Sequence, residues 1–218
     1  DDPVLVGRTA AERAVARLGG RKVRTGEYPV LFDASLAGGL LGSLVHAASG
    51  GALYRKSSFL IDHLGKRVMP DFVHIAERPH IPRGLGSASF DSDGVATHDR
   101  DVVIDGILNG YFLSSYTARK LGMQTTGNAG GSHNLIIEPG TLDRDGLLKQ
   151  MNRGLLVTEL LGHGINYVTG DYSRGAAGFW VENGQIAYPV EEITIAGNLK
   201  QMFRDIVAVG SDVDRRDF

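Results

Sequence analysis

The chain has 218 residues, 42% of them hydrophobic, with 23 basic and 25 acidic side chains and a formal net charge of -2. It is long enough to bury a core without staples and carries no global field that would favour nucleic acid, an acidic membrane face or a strongly charged substrate. There is no cysteine, which excludes disulfides, thiolate zinc ligands and cysteine nucleophiles together. No apolar run reaches the length of a membrane span, so a soluble, cytoplasmic protein is expected. Asp1-Asp2-Pro3 offers neither an initiator Met nor a basic leader and reads as part of a longer polypeptide.

Taken in chain order, Gly7 to Leu18 has apolar residues at helical spacing and stops at Gly19-Gly20, predicting a short amphipathic helix. Residues 1–26 then read as the tail of a preceding domain and 27–218 as one domain. Tyr28 to Phe32 is β-like and leads through Asp33, a candidate N-cap, into a helix over Ala34 to Ser49. The pairs Asp105-Gly106 and Asn183-Gly184, each between apolar runs, predict two β-hairpins. Between them the spacing predicts a helix over Ser115 to Leu121 closed by Gly122, a strand from Leu135 to Glu138, and a longer helix from Asp143 to Leu161 closed by Gly162. Asn198 should cap a last helix. The expected class is α+β, a largely antiparallel sheet with several packed helices and Gly-rich turns, since 30 glycines are about twice the usual share of roughly 7%.

Seven histidines are distributed without any H-E-x-x-H or related ligand spacing. Ser43 and His46 share a helix, but a nucleophile also needs an orienting acid and an oxyanion hole, and neither is identifiable. Gly84-Leu85-Gly86-Ser87 and the run Gly127 to Ser132 are Gly-rich, yet neither matches a phosphate loop. The densest polar cluster contains Asn128, Ser132, His133 and Asn134, before an apolar strand; it can wrap a peptide or turn a corner. A second cluster, Asp171, Ser173 and Arg174, suits peptide or carboxylate contact, and its plainer reading is a turn knitted by an Asp171–Arg174 pair.

The phrases GGLLGSLVHAASGGALYRKSSFL, PHIPRGLGSASFDSDG, DGILNGYFLSSYTARKLGMQTTGNAGGSHNL, GLLVTELLGHGINYVTGDYSRGAAGFWVENGQIAYPVEEITIAGNL and DIVAVGSD closely resemble the carboxy-terminal part of the TldD/PmbA family (peptidase U62), in its PmbA or TldE branch. That resemblance implies a heterodimeric metalloprotease in which the TldD subunit holds zinc through an H-E-x-x-x-H helix and a later Cys. It further implies unfolded peptides as substrates, with links to microcin precursor maturation, antitoxin turnover and DNA gyrase. In the TldD helix thirteen residues separate a Leu-Leu from an Arg-Lys, as they do between Leu40-Leu41 and Arg55-Lys56 here. On that register Gly42, Ser43 and Ala47 take the places of the first zinc His, the Glu base and the second His. His46 falls one residue, about 100°, from the metal direction.

The expectation is therefore a chain with no catalytic residue, metal or cofactor of its own, which pairs with a zinc-bearing TldD-like subunit and handles unfolded peptides. Exposed strands near Asn183-Gly184 would accept an extended peptide by β-addition. No direct contact with nucleic acid or membrane is expected, and the chain alone can self-associate. The alternative is a homo-oligomeric binding or regulatory module, associated with gyrase and without a role in proteolysis. A hydrolase using Ser43 and His46 ranks last.

Overall fold

In the computed structural model, which describes residues 2–213, helix α1 spans Pro3–Ala16, starting and ending earlier than its periodicity predicts. Asp2 accepts the Val4 N–H at 2.9 Å and Pro3 opens the first turn, a pairing that nucleates a helix where an N–H has no partner to lose. None of its residues is buried.

Strand β1 is Val30–Phe32, α2 is Ala34–Ala47 and α3 is Gly50–Tyr54. The predicted helix to Ser49 is present as α2, ending at Ala47, and a second short helix that was not predicted follows it, capped by the Ser49 hydroxyl. Gly50 permits this turn to press against Leu113 and Thr117, where any side chain would collide. Strands β2 (Ile75–Glu77), β3 (Arg100–Ile104), β4 (Ile107–Leu108) and β5 (Leu135–Ile137) follow, with α4 (Ser115–Leu121) before β5. The Asp105-Gly106 hairpin is present between β3 and β4, both turn residues at positive φ. Gly122 closes α4 in the left-handed region at φ 66°.

Helix α5 is Arg144–Met151, and β6 (Gly154–Leu161), β7 (Asp171–Glu182), β8 (Gln185–Asn198) and α6 (Leu199–Arg204) complete the chain. The predicted long helix to Leu161 is therefore wrong in its second half. Asn152 turns the chain at φ 60°, and Gly154 to Val157 are buried, with Leu155 and Val157 packed in the cluster of Trp180 and Leu156 in a separate one with Leu148 and Val181. A strand covered on both faces loses the alternating pattern, so its apolar run cannot be told from a helix by spacing alone. The Asn183-Gly184 hairpin is present and far longer than its signal.

Two four-stranded sheets result, ordered β1-β6-β7-β8 and β4-β3-β2-β5. Their pairings are antiparallel except for β1 with β6. The architecture is α+β, with antiparallel pairing dominant. The main core joins Leu44 and Ala47 of α2 to Ile75, Val102, Val103, Phe112, Tyr172 and Phe203. A smaller cluster centres on Trp180, whose ring meets Tyr28 edge-on at 4.9 Å between centroids. Among the described residues no helix is long and apolar enough to cross a membrane.

Candidate functional site

Helix α2 is the natural starting point, because it holds the positions where the resemblance puts a metal. Asp33 caps it, accepting from Ser35 N–H at 3.2 Å and Ser35 Oγ at 2.7 Å. Gly38, Gly39, Gly42 and His46 lie on one exposed face, as their spacing dictates. A Cβ at any of these three glycines would meet no atom within 4 Å. Ser43 is buried and donates its hydroxyl to Gly39 O at 2.9 Å, while Ala47 is fully buried in the main core.

His46 stacks on Tyr167, ring centroids 3.9 Å apart. Hydroxyl and imidazole are thus engaged separately, which removes the basis for a Ser43–His46 nucleophile. The described residues hold no group of three or more His, Cys, Asp or Glu side chains able to bind a metal.

Beside α2 lies a cavity of about 250 Å³. Gly39, Gly42 and Ser43 form its helical wall; His163, Ile165 and Tyr167 line the other side, with Arg174. The segment 162–170 is held there by backbone bonds to the start of β7, Ser173 N–H to Gly164 O at 2.6 Å and Asn166 N–H to Asp171 O at 2.8 Å. Gly164 must be glycine, because a Cβ would overlap the Ser173 carbonyl oxygen.

The second predicted cluster divides at this point. Asp171 accepts from Thr169 Oγ1 at 2.6 Å and Asn198 Nδ2 at 3.0 Å, which hold its carboxyl below the usual range. Ser173 is exposed. Arg174 instead enters the cavity, so the predicted Asp171–Arg174 turn is replaced by the opening of β7. Alternation along the strand explains it: residues 171 and 173 face away from 172 and 174.

The first cluster is built into the second sheet. Glu77, 2% exposed, receives Arg100 Nε at 2.5 Å, Asn128 Nδ2 at 2.8 Å and the His133 N–H at 2.6 Å. Asn134 is buried, donating to Arg78 O at 2.8 Å and Ser87 Oγ at 2.6 Å. The His133 ring is 3.1 Å from Gly127 O, and Ser132 is half-buried. Asn128 and Asn134 thus have their amides engaged internally. Glu77, the hub of this network, has no local signal in the sequence: its partners lie 23 to 56 residues away.

Asp91 anchors the same loops, accepting from the Asp93, Val95 and Ala129 N–H groups, each at 2.9 Å. Burial pushes its carboxyl up, but the three backbone donors and the nearby His133 outweigh that and hold it below the ordinary value. The Arg78 guanidinium, 2.6 Å from Asp101, lowers the Asp101 carboxyl against the opposing effect of burial, with help from His74. Depressed carboxylates stabilise the fold above their unfolded pKa of about 3.9 and lose that contribution as pH falls through the lower folded value. Denaturation midpoints should therefore drop on acidification below about pH 4. Asp91→Asn should flatten this acid limb and cost about 1–2 kcal/mol at neutral pH, read by urea titration at several pH values.

Comparison with known proteins decides the family. Residues 25–217 match the PmbA/TldA metallopeptidase C-terminal domain. The chain belongs to the PmbA/TldA metallopeptidase family. It is 55% identical over 214 residues to the metalloprotease PmbA of Escherichia coli O157:H7, covering 98% of this chain and 48% of that one. A Haemophilus influenzae PmbA homologue is 54% identical with the same coverage. The chain thus spans about half the length of these curated relatives. A Thermotoga maritima crystal structure assigned as a modulator of DNA gyrase superposes with a TM-score of 0.89 at 38% identity, over 96% of this chain and 50% of that one. TldE of Thermococcus kodakarensis shares the fold, with a TM-score of 0.81 at 24% identity. The chain has no cysteine, and its described residues hold no group of three or more potential metal ligands.

Proposed function

We propose that this chain is part of the zinc-free subunit of a TldD/TldE-type metalloprotease. It pairs with a zinc-bearing, TldD-like subunit and shapes the passage through which unfolded peptides reach the metal. What supports this reading is α2: on the register of the resemblance Gly42, Ser43 and Ala47 take the places of two zinc ligands and a general base, Gly and Ala have no ligand atom, and the Ser43 hydroxyl is bonded to Gly39 O. Zinc hydrolysis needs three protein ligands and an open position. Substrates in this reading are unfolded peptides, with microcin precursors and antitoxins as the biological cases. Strand β8, at the edge of the first sheet and bridged there by Arg21 at Val190, suits pairing with an extended peptide along the rest of its length, a mode that reads backbone rather than sequence. A cytoplasmic setting accords with the absence of cysteine.

Casein hydrolysis by the full-length, metal-stripped protein, by its TldD-like partner and by the mixture tests this. Hydrolysis is expected only where the zinc-bearing partner is present, and to rise when this subunit is added. Robust hydrolysis by the metal-stripped protein alone would contradict it. Capture of gyrase from native cells without a TldD-like protein would favour a homo-oligomeric regulatory module instead.

A further inference from the structure

The cavity beside α2 combines three features that a degenerate site need not have. Its lining contains a guanidinium and an imidazole, Arg174 and His163, and no carboxylate. Arg174 makes no salt bridge among the described residues. Two residues earlier on the same face of β7, Tyr172 is 2% exposed and its hydroxyl lies beside the Arg174 guanidinium, a neutral neighbour that leaves the positive charge unbalanced. A partly enclosed cation with no counter-charge favours an anion beside it. An acceptor of negative charge entering the cavity would supply one.

The space for that acceptor is on the helical side. Gly39 and Gly42 wall the cavity, and neither would bring a Cβ within 4 Å of another atom. Tyr167, whose ring is stacked on His46, lines the side opposite the helix. The cavity lies against the middle of α2 rather than its N-terminus, which Asp33 already caps, so no helix end adds donors for a multiply charged anion. One guanidinium fork fits a planar monoanion through two parallel hydrogen bonds. Ile165 and the tyrosine ring supply apolar surface for the atoms behind it.

We propose that this cavity binds a carboxylate of a peptide, with Arg174 as its principal ligand. It is a position where the family's metal site has been exchanged for an anion site. Taking the carboxylate to be a peptide's rests on the peptide-handling function proposed above; the affinity for carboxylate itself does not.

Calorimetric titration of this chain, with no partner present, tests the site apart from that function. The probes are acetyl-trialanine as its free acid, the same peptide as its C-terminal amide, and acetyl-Ala-Glu-Ala-amide. The free acid is expected to bind about tenfold or more tighter than the amide, the weight of one charge-assisted pair. Binding of the glutamyl amide as well would mean that the site accepts side-chain carboxylates; its failure to bind would restrict the site to chain ends. Arg174→Gln should weaken the acid by about tenfold or more. Gly42→Leu, which fills open space and favours the helix, should do the same while keeping the wild-type thermal melt. Equal binding of acid and amide, no binding of either up to the solubility limit, or undiminished binding by a folded Gly42→Leu chain would overturn the proposal. Loss of partner-dependent hydrolysis with carboxylate binding intact would count against the function alone.

Discussion

Replacing Glu77 with alanine is expected to lower stability by about 3–5 kcal/mol, the range for breaking a buried ion pair by removing one partner. The carboxylate is the meeting point of β2, β3 and the loop 126–134. Its oxygens take the Arg100 guanidinium, the Asn128 amide and the His133 N–H. Arg100 has a side-chain exposure of 12%, and what remains for it is the Tyr111 carbonyl at 2.8 Å and the face of Phe112 at 4.8 Å. Alanine would leave a buried cation and two donors without their acceptor, each a penalty that water cannot relieve in a closed interior.

Glu77→Gln keeps the shape and an acceptor oxygen but loses the charge, and is expected to fall between wild type and Glu77→Ala. Guanidinium titration followed by far-UV circular dichroism measures both. A loss below about 1 kcal/mol for alanine would mean that the network is solvated, as surface pairs are.

The second large effect is expected at Gly178, where β7 crosses between β6 and β8. A Cβ there would overlap the Leu156 carbonyl oxygen and crowd the Val157 Cα, both backbone atoms of a paired strand. Both ladders slip at this point, between Val157 and Glu159 on β6 and between Ala176 and Gly178 on β7. Across the ladder, Glu192 on β8 turns through φ 53°, between the partners of Gly178 and Ala176. The glycine therefore marks a bulge that lets neighbouring strands close on β7. Gly178→Ala is expected to cost about 3 kcal/mol, the upper part of the range for overpacking, because backbone cannot swing aside as a side chain can. Gly42→Ala, whose Cβ points into open space, is the control and should be neutral or stabilising. Similar thermal melts for the two variants would contradict the geometry.

Features with local causes were legible in the sequence. The Asp-Gly and Asn-Gly hairpins, the left-handed Gly122, and the caps at Asp33 and Asn198 each follow from the conformational freedom or side-chain oxygen of one residue. Features with distant causes were not. Leu155 to Leu161 carries an apolar pattern that fits a helix until β1 and β7 pair along its edges and apolar clusters cover its two faces. The Asn128 to Asn134 loop looks like a surface for ligands because its hydrogen-bonding groups converge within a few residues. Several of those groups are engaged by Glu77 and Ser87, 47 to 56 residues away. Arg174 was visible as a candidate for carboxylate contact. Its cavity was not, since the opposite wall is a glycine face some 130 residues earlier, brought there only by packing of α2.

Zinc content is the most direct test of the central claim, because a degenerate α2 and a functional one differ first in what they hold. The full-length protein, purified from cells grown with added zinc and gel-filtered free of loose metal, is analysed by inductively coupled plasma mass spectrometry. Substantially less than one zinc per chain is expected, with no gain in thermal stability on adding zinc, since a metal that bound the native state would raise it. One tightly held zinc per chain would contradict the claim.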